Sequence, residues 1–447
     1  MTGVLRARRL PADGPGCGWI EALPAPPPAR RLTTTLRAAA VVVGAGFTGL
    51  AAARRLAESL PGERIVLLDA QRAGWGAAGR SSGFVVDLAS FVAALPALHA
   101  ERFVRLSRHG IAALRERVEA GGIDCAWDDR GWIHAAGTDG GLVSLAALTR
   151  WLEARGEPFE RLDSEALAAV TGSAYYRAGV RLPGSVLVQP YALVRGLAET
   201  LPPNVELYER TPALRLRPGH RAKGRPVHVE TPQGRVVADR ALVGTNAGMP
   251  SLGLLADRIF PLFTTGSLTG RLTAAEAAAL GGEPEWGLLA QDVLGSSLRR
   301  TRDGRLLVRN SVHFDARLEL PPDWRRAAQE AHRRALAERW PRLATRLGAS
   351  PFEHTWGGWM AISRNGRHFF GALADGIWGA AGYNAAGIAL GTACGELLAD
   401  LALGHESPRL ADMLALPGPS WLPPEPLLTL GARWRIARME RASGGRI

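Results

Sequence analysis

The stretch that decides the fold is Ala40-Val41-Val42-Val43-Gly44-Ala45-Gly46-Phe47-Thr48-Gly49, an apolar run that ends in a glycine-rich turn. Its three consecutive valines predict a short parallel strand that is buried on both faces. The next residues, Leu50–Glu58, have a helix-forming composition, and Arg64–Leu68 is typical of a second apolar strand, which ends on Asp69. This order of strand, turn, helix and strand predicts an α/β fold with a Rossmann-like domain.

The glycines of the turn fit the pattern G-x-G-x-x-G. Gly44 makes the tight turn, Gly46 leaves room for a pyrophosphate, and Gly49 lets the helix pack close to the strand. The helix N-terminus offers unpaired N–H groups to phosphates. Asp69 follows Gly44 by about 25 positions, near the spacing at which an acid accepts hydrogen bonds from a ribose. The sequence therefore predicts a dinucleotide site; a glycine-rich turn in another doubly wound fold is the alternative.

Composition narrows the class of protein. The chain has 447 residues, enough for two domains, and a net charge of +12 that comes almost entirely from arginine, because Lys223 is the single lysine. The arginines are spread along the chain, so we expect no nucleic-acid partner. Cys17, Cys125 and Cys394 lie far apart without a C-x-x-C pair, which predicts neither disulfides nor a metal site and favours a cytoplasmic location. The sequence contains no apolar run long enough to cross a membrane, so we expect no membrane span.

The pattern of elements changes along the chain. Leu98–Ala120 predicts one long amphipathic helix, Trp127–Ala135 predicts a strand pair around a turn, and Arg240–Gly248 predicts a buried strand that returns to the first sheet. We expect an extended arm, a discontinuous first domain, a second domain in two segments and a tail: 1–37; 38–120, 181–255 and 351–410; 121–180 and 256–350; and 411–447.

Two further glycine-rich stretches follow the first. Gly74–Phe84 comes directly after the second strand, and Ile377–Gly391 precedes a predicted helix that runs to Gly404. A glycine-rich turn at a helix start is electropositive. The second stretch is far from the first turn in the chain, so it could meet the electron-rich end of a long cofactor whose phosphates lie on that turn.

Together with Trp356-Gly357-Gly358 and Ile362-Ser363, these stretches resemble the FAD-dependent amine and amino-acid oxidoreductases of the D-amino-acid-oxidase superfamily. The resemblance covers about residues 19 to 404, and Gly74–Arg80 is similar to the G-W-G-A-S-G-R of the gamma-glutamylputrescine oxidase branch. It implies a glutathione-reductase-type FAD-binding domain and a second, mainly antiparallel-sheet substrate domain.

The resemblance also implies which residues bind FAD. The first turn, Asp69 and the Gly74–Gly83 loop would hold the AMP half and the pyrophosphate, Ala213 would face the adenine, and the Gly382–Gly387 turn would approach the isoalloxazine. The implied cofactor residues are Gly44, Gly46, Phe47, Thr48, Gly49, Asp69, Ala70, Gly76, Ala77, Ala78, Arg80, Ser81, Ala213, Thr245, Gly382, Tyr383, Asn384, Gly387 and Ile388.

The chain departs from the family pattern where a substrate would bind. Ala385-Ala386 stand where family members often carry Gly and then His or Gln, and Arg309-Asn310 stand where a glycine pair is common. The family substrate therefore cannot be carried over. Arg309 could pair bidentately with a substrate carboxylate, or could be a surface arginine. Trp359 could line the pocket or pack in the core. We assign no catalytic residue and no metal ligand.

The resemblance implies oxidation of the C–N bond of a small-molecule amine or amino acid by hydride transfer to the flavin, then imine hydrolysis and reoxidation by oxygen to hydrogen peroxide. Related sarcosine oxidases use a lysine near the flavin to activate oxygen, whereas Lys223 lies in a predicted hairpin. A dehydrogenase of an amino or hydroxy acid with a non-oxygen acceptor is therefore an alternative, as is a non-catalytic flavoprotein subunit. Cys394 lies within a predicted helix, so we expect no covalent flavin link there.

Overall fold

Two β-sheets organise the chain, of which a computed structural model describes residues 3–12, 14, 16–89, 91–292 and 295–442. The strands are β1 (Leu5–Arg6), β2 (Thr35–Val43), β3 (Ile65–Leu68), β4 (Phe84–Val85), β5 (Trp132–Ala136), β6 (Glu160–Asp163), β7 (Ala178–Leu182), β8 (Val186–Leu187), β9 (Val205–Tyr208), β10 (Arg215–Arg217), β11 (Val227–Glu230), β12 (Arg235–Val243), β13 (Ile259–Thr269), β14 (Trp286–Ala290), β15 (Ser297–Arg300), β16 (Leu306–His313), β17 (Phe352–Ser363), β18 (Phe369–Ala374) and β19 (Ile377–Ala381).

The α-helices are α1 (Gly18–Glu21), α2 (Phe47–Ser59), α3 (Ala77–Arg80), α4 (Ala97–Gly121), α5 (Asp139–Glu153), α6 (Ser164–Thr171), α7 (Pro190–Glu199), α8 (Ala274–Ala277), α9 (Trp324–Arg339), α10 (Pro341–Leu347), α11 (Ala389–Leu403), α12 (Pro408–Leu414) and α13 (Leu427–Ala442). Short 3₁₀ turns occur at Val92–Ala94, Arg221–Lys223, Asn246–Gly248, Pro250–Leu252 and Ala278–Leu280. Within the described ranges, no helix combines the length and the apolar character needed to cross a membrane.

The first sheet has the strand order β1-β10-β11-β12-β2-β3-β9, and β19 and β18 extend it beside β12. Its centre is parallel: Val41 in β2 lies beside Val66 in β3 and beside Ala241 in β12. These three residues are fully buried, because helices and loops cover both faces. The predicted valine strand, the helix after it and the returning strand are confirmed as β2, α2 and β12.

The second sheet has the order β17-β13-β16-β15-β14-β5-β7-β6 and is antiparallel except where β14 meets β5. On one of its faces, Leu306 and Val308 pack in a core with Leu336 of α9. Side chains alternate along β16, so the residues that follow Leu306 and Val308 in the strand point to the other face, toward the first sheet. The expected α/β class with a Rossmann-like domain and a mainly antiparallel second sheet is confirmed.

Two local expectations had different outcomes. The long helix predicted for Leu98–Ala120 is confirmed as α4. The strand pair predicted for Trp127–Ala135 is wrong, because only Trp132–Ala136 forms a strand and its partners are β7 and β14. Asp128 instead makes an isolated bridge to Leu187. The partners of β5 come from distant parts of the chain, so local sequence could not identify them.

Some strands pair outside the domain that was predicted for their segment of the chain. β17 belongs to the segment assigned from sequence to the first domain, yet it pairs with β13 of the second sheet along its whole length, from Ser363 beside Ile259 to Phe352 beside Thr269. β1, in the predicted arm, pairs with β10 of the first sheet. The division into domains stays a prediction. For the site, the important consequence is that β17 links the two sheets.

Candidate cofactor and substrate site

The first glycine-rich turn closes tightly between β2 and α2. Gly44 has φ +101° and donates its N–H to the Leu68 carbonyl at 2.7 Å. A Cβ on Gly49 would lie 1.7 Å from the Gly44 carbonyl oxygen, so the helix can approach the turn only because this residue is glycine. A Cβ on Gly46 would have Ala78 Cβ, at 3.6 Å, as its nearest neighbour. The space in front of the α2 N-terminus is therefore open.

The Asp69 carboxylate is held at the edge of this space by backbone N–H groups. Oδ2 accepts from Ala45 at 2.7 Å, and Oδ1 accepts from Gln71 at 2.8 Å. Burial raises the pKa of Asp69 above its ordinary value, whereas these hydrogen bonds from Gln71 and Ala45 lower it. Each carboxylate oxygen keeps further acceptor capacity for a hydroxyl group. Ala70, which follows directly, is partly exposed.

The second glycine-rich turn lies beside the first. Tyr383 and Thr48, which are 335 residues apart, share a hydrogen bond of 2.7 Å between their hydroxyl groups. A Cβ on Gly391 would lie 3.1 Å from Thr48 Oγ1, and one on Gly395 would lie 2.2 Å from the Thr48 carbonyl oxygen. The N-terminal parts of α2, which begins at Phe47, and of α11, which follows Ile388, are thus packed together. The two glycine-rich turns, which we call the two corners, therefore lie side by side.

Asn384 organises the second turn with its side chain. It has φ +51°, its Oδ1 accepts from the Ser363 N–H at 2.9 Å, and its Nδ2 donates to the Gly382 carbonyl at 2.6 Å. Gly382 in turn donates its N–H to Asn246 Oδ1 at 3.0 Å. Asn384 therefore fixes the turn, up to Gly387, against the end of β17. Asn246 was missed from sequence, although it is adjacent to the predicted Thr245.

The loop that follows β3 lies between the two sheets. Gly76 caps α3, which begins at Ala77. The Arg80 guanidinium donates from Nε to the Trp75 carbonyl at 2.7 Å and from Nη1 to the Gly357 carbonyl at 3.4 Å. The Ser81 carbonyl accepts from Trp19 Nε1 at 2.8 Å. The side chain of Arg80 thus binds protein carbonyls and connects the loop to β17.

The buried hydroxyl of Thr245 is the feature that shows whether a dinucleotide fits this site. Its Oγ1 is buried and has no hydrogen-bond partner among the described residues. It lies beside the first corner, since a Cβ on Gly44 would be 3.3 Å from Thr245 Cγ2. A buried hydroxyl without a partner is costly, and a polar ligand in the open space would satisfy it. Ala213 is almost fully buried on the first sheet. The residues present fit FAD.

One face of the second sheet lies opposite this loop. A Cβ on Gly358 of β17 would lie 3.6 Å from Arg80 Cβ, and Gly358 pairs with Thr264 of β13. Two residues further along, Met360 pairs with Leu262 on the same face. Leu262, Thr264, Gly358 and Met360 are each partly exposed, which is typical of residues that line a cleft. We call this face, together with Arg309, the cleft face.

Arg309 lies on the cleft face of β16. A Cβ on Gly266, its partner in β13, would lie 3.8 Å from Arg309 Cβ and 3.9 Å from Trp356 on the same face. Within the part of the chain that the structure describes, the guanidinium makes no hydrogen bond or ion pair. Burial lowers its pKa below the ordinary value, and no carboxylate opposes that effect. Arg309 is therefore a half-buried cation without an anionic partner among the described residues.

Trp359 lies on the opposite face of the same sheet. Its ring packs on Phe263 at 5.0 Å between centroids, and Phe263 packs edge-on against Trp324 of α9 at 5.3 Å. Of the two roles that the sequence left open, this position supports core packing.

The two other groups discussed from sequence lie away from the cleft face. Lys223 is exposed in the 3₁₀ turn between β10 and β11, at the edge of the first sheet. Cys394 is fully buried within α11, and burial raises the pKa of its thiol. A buried thiol of raised pKa is a poor nucleophile, and the expectation of no covalent flavin link at this residue stays a prediction.

The fold and these paired corners define a flavin-dependent oxidoreductase, and comparison with known proteins identifies the family. Residues 39–401 match the DAO family, described as FAD dependent oxidoreductase. The chain therefore belongs to the DAO family of FAD-dependent oxidoreductases, and the family expected from the motifs is confirmed.

Individual relatives align over most of the chain. The probable oxidoreductase OrdL of Rhizobium meliloti (strain 1021) is 30% identical over 412 residues, covering 88% of this chain and 90% of the relative. The gamma-glutamylputrescine oxidoreductase of Escherichia coli (strain K12) is 27% identical over 374 residues, covering 81% and 83%. The crystal structure of glycine oxidase from Geobacillus kaustophilus superposes with a TM-score of 0.69 at 20% identity, covering 83% and 96%.

Proposed function

We propose that this enzyme oxidises the C–N bond of an amine or amino acid, and that an amino acid held through its carboxylate fits the site best. When bound, FAD would supply the acceptor for a hydride from the carbon beside the amine nitrogen, and dioxygen would take up the electrons as hydrogen peroxide. Water then hydrolyses the imine to a carbonyl compound and ammonia or an amine. The names of two relatives, the gamma-glutamylputrescine oxidoreductase of Escherichia coli and a glycine oxidase of Pseudomonas aeruginosa that is 29% identical over 378 residues, support this reaction class.

The unpaired guanidinium of Arg309 is the observation that carries the choice of an amino acid. A guanidinium offers two parallel N–H groups that match the oxygens of a carboxylate. A desolvated cation without a counter-ion is unfavourable, so an anionic ligand gains more binding energy here than at a solvated arginine. Leu262 and Met360, which lie further along the same face, are apolar and would contact the rest of the substrate.

The chain's own contribution is position and charge. The hydrogen bond between Thr48 and Tyr383 holds the two corners together, and Asn384 fixes the second turn against β17. The N-terminus of α11, a helix of 15 residues, directs its partial positive charge toward that turn. These groups would orient the cofactor and stabilise negative charge at its reactive end, while the cleft face orients the substrate and excludes water.

The test is anaerobic reduction of the purified, flavin-loaded protein. The panel pairs amino acids and N-methyl amino acids with amines of the same side chain that lack the carboxylate, and the readout is bleaching of the visible flavin absorbance. We expect amino acids to reduce the flavin and their decarboxylated partners to react far more slowly. Equal reduction by both would exclude Arg309 as the anchor, and reduction by no amine or amino acid would overturn the proposed function.

A dehydrogenase with another electron acceptor is the second candidate, and the position of Lys223 favours it. This single lysine is exposed in the 3₁₀ turn between β10 and β11, outside every glycine-rich turn of the site, which supports an enzyme that lacks the oxygen-activating lysine of related sarcosine oxidases. Hydrogen peroxide formed per substrate oxidised separates the two candidates. A ratio near one supports the oxidase, and a ratio near zero with rapid turnover in the presence of a quinone supports the dehydrogenase.

A further inference from the structure

The segment before α1 runs across the cofactor site and touches both of its walls. We call residues 3–12, 14 and 16 the strap. At its start, β1 pairs with β10 through Leu5 and Leu216, and the Ala7 N–H donates to the Leu214 carbonyl at 2.8 Å. Leu214 is adjacent to Ala213, the residue implied to face the adenine. The strap thus begins at the wall that the first sheet provides.

The next contact of the strap is with the segment that follows β12. The Arg8 N–H donates to the Ser251 carbonyl at 2.7 Å, in the 3₁₀ turn that comes shortly after Thr245. Arg9 forms a 3.6 Å ion pair with Glu319, and both side chains are largely exposed. Because exposed ion pairs contribute little, the two backbone hydrogen bonds are the main attachments on this side.

The strap then reaches the opposite wall of the site. The Ala12 carbonyl accepts from Gln71 Nε2 at 3.1 Å, and the Gly14 carbonyl accepts from the Arg80 guanidinium. Gln71 also fixes Asp69 through its N–H, so the strap contacts the side chain of a residue that shapes the carboxylate. One strap therefore connects the Ala213 and Thr245 side of the site with the Asp69 and Arg80 side.

The attachment of the strap is weak compared with that of the chain beyond it. Most strap residues are exposed, and Leu5 is its one buried apolar side chain among those described. The chain after the strap is anchored by Cys17 and by Trp19, which is buried and donates to the Ser81 carbonyl. A segment with few buried contacts and exposed hydrogen bonds opens at low free-energy cost, whereas its anchored end stays in place.

We propose that the strap closes over the AMP half of bound FAD and slows its release. This inference rests on the proposed function and on the cofactor residues of the candidate site. Loading and release of FAD would require the strap to detach from Leu214 and Ser251 on one side or from Gln71 and Arg80 on the other. The strap would thus be part of the cofactor site, although it lies outside every FAD-binding motif of the chain.

The test is the rate of FAD release from the flavin-loaded protein. The double variant A7P/R8P removes the two N–H donors to Leu214 and Ser251 without touching a cofactor residue, and a deletion of residues 2–12 removes the strap while keeping the Trp19 anchor. Gly3→Pro is the control, because Gly3 is exposed and nothing lies within 4 Å of an added Cβ. Release is followed by flavin fluorescence after dilution into excess competing apoflavoprotein.

We expect A7P/R8P to release FAD about tenfold faster, the effect of losing two hydrogen bonds of ordinary strength, and the deletion variant to release it at least as fast, because it also loses the Ala12 contact with Gln71. We expect the unfolding temperature of the apoprotein to remain near that of the parent. Trypsin should cut at Arg6, Arg8 or Arg9 faster in apoprotein than in flavin-loaded protein. Unchanged release from the deletion variant would overturn the strap proposal and leave the proposed reaction standing. A parent protein that binds no FAD would overturn the cofactor assignment as well.

Discussion

Asp69 and Arg309 are both half-buried ionisable residues of the candidate site, yet the chain surrounds them in opposite ways. Asp69 accepts two backbone N–H groups at 2.7 and 2.8 Å, so its position and charge are supported by the chain itself. Arg309 has no partner within the described ranges, and burial lowers its pKa without an opposing carboxylate. The folded chain thus supports the Asp69 carboxylate with its own backbone, whereas it leaves the Arg309 guanidinium without a partner among the described residues.

From this contrast we expect substitutions of the glycines on the cofactor side to cause the largest losses of FAD binding and stability. In Gly49→Ala, the new Cβ would collide with the Gly44 carbonyl oxygen, so α2 must move away from the turn. We expect loss of FAD binding and a drop in the free energy of unfolding of about 4 kcal/mol or more. The matched control is Gly140→Ala in α5, where nothing lies within 4 Å of the added Cβ and a small gain of up to about 1 kcal/mol is expected. Denaturant unfolding and flavin content of the purified variants decide the outcome.

Arg309→Met separates ligand binding from stability. If Arg309 holds a carboxylate, kcat/KM for an amino acid should fall by about 2–5 kcal/mol, or roughly 30-fold to several-thousand-fold, while flavin content is unchanged. The free energy of unfolding of the substrate-free protein should stay level or rise, because an unpaired cation is removed. The exposed Arg215, which pairs with Glu230, provides the control variant Arg215→Met. A fall in stability without a change in KM would show that Arg309 is a structural residue.

Acid should lower the free energy of unfolding, because each sheet has a buried histidine whose imidazole is uncharged in the folded protein. Burial lowers the pKa of His134, in β5, and of His368, just before β18, from 6.5 to about 4. The unfolded chain therefore binds protons that the folded chain does not, and stability falls as pH decreases from about 6.5 to about 4. The slope should approach about 1.4 kcal/mol per pH unit for each imidazole. Unfolding curves of His134→Gln and His368→Gln against pH test this; a slope equal to that of the parent in both variants would refute it.

The smallest expected effect concerns the contact that joins the two corners. Tyr383→Phe and Thr48→Val each remove one partner of the buried hydroxyl pair, and the double variant removes both. We expect the single variants to lose about 1–3 kcal/mol and the coupling energy of the cycle to be about 0.5–1.5 kcal/mol. Unfolding and FAD affinity of all four proteins complete the cycle. Additive losses would mean that the corners are held together by helix packing alone.

Local sequence was sufficient where one element makes its own contacts. The G-x-G-x-x-G turn, the valine strand and the helix α4 follow from side-chain size and periodicity, and each is found close to its predicted bounds. Sequence failed where the partner is distant: Trp127–Ala135 does not form a hairpin, because β5 pairs with β7 and β14 instead. Which residues form the cleft face depends on how side chains alternate along β13, β16 and β17 and on how these strands align with one another. No single stretch of sequence contains that alignment.

The sequence alone determined the class of the protein, since glycines at fixed spacing and an acid after the second strand predict a dinucleotide site, and the family resemblance of the later glycine-rich stretches implies FAD. Tertiary structure alone decided how that site is completed. It joined Thr48 to Tyr383, placed Arg309 on the cleft face and Trp359 on the opposite face, and brought the strap across the two walls. The physical reason is that a turn is encoded by neighbours in the chain, whereas burial, pairing and the absence of a partner are properties of groups that meet only after folding.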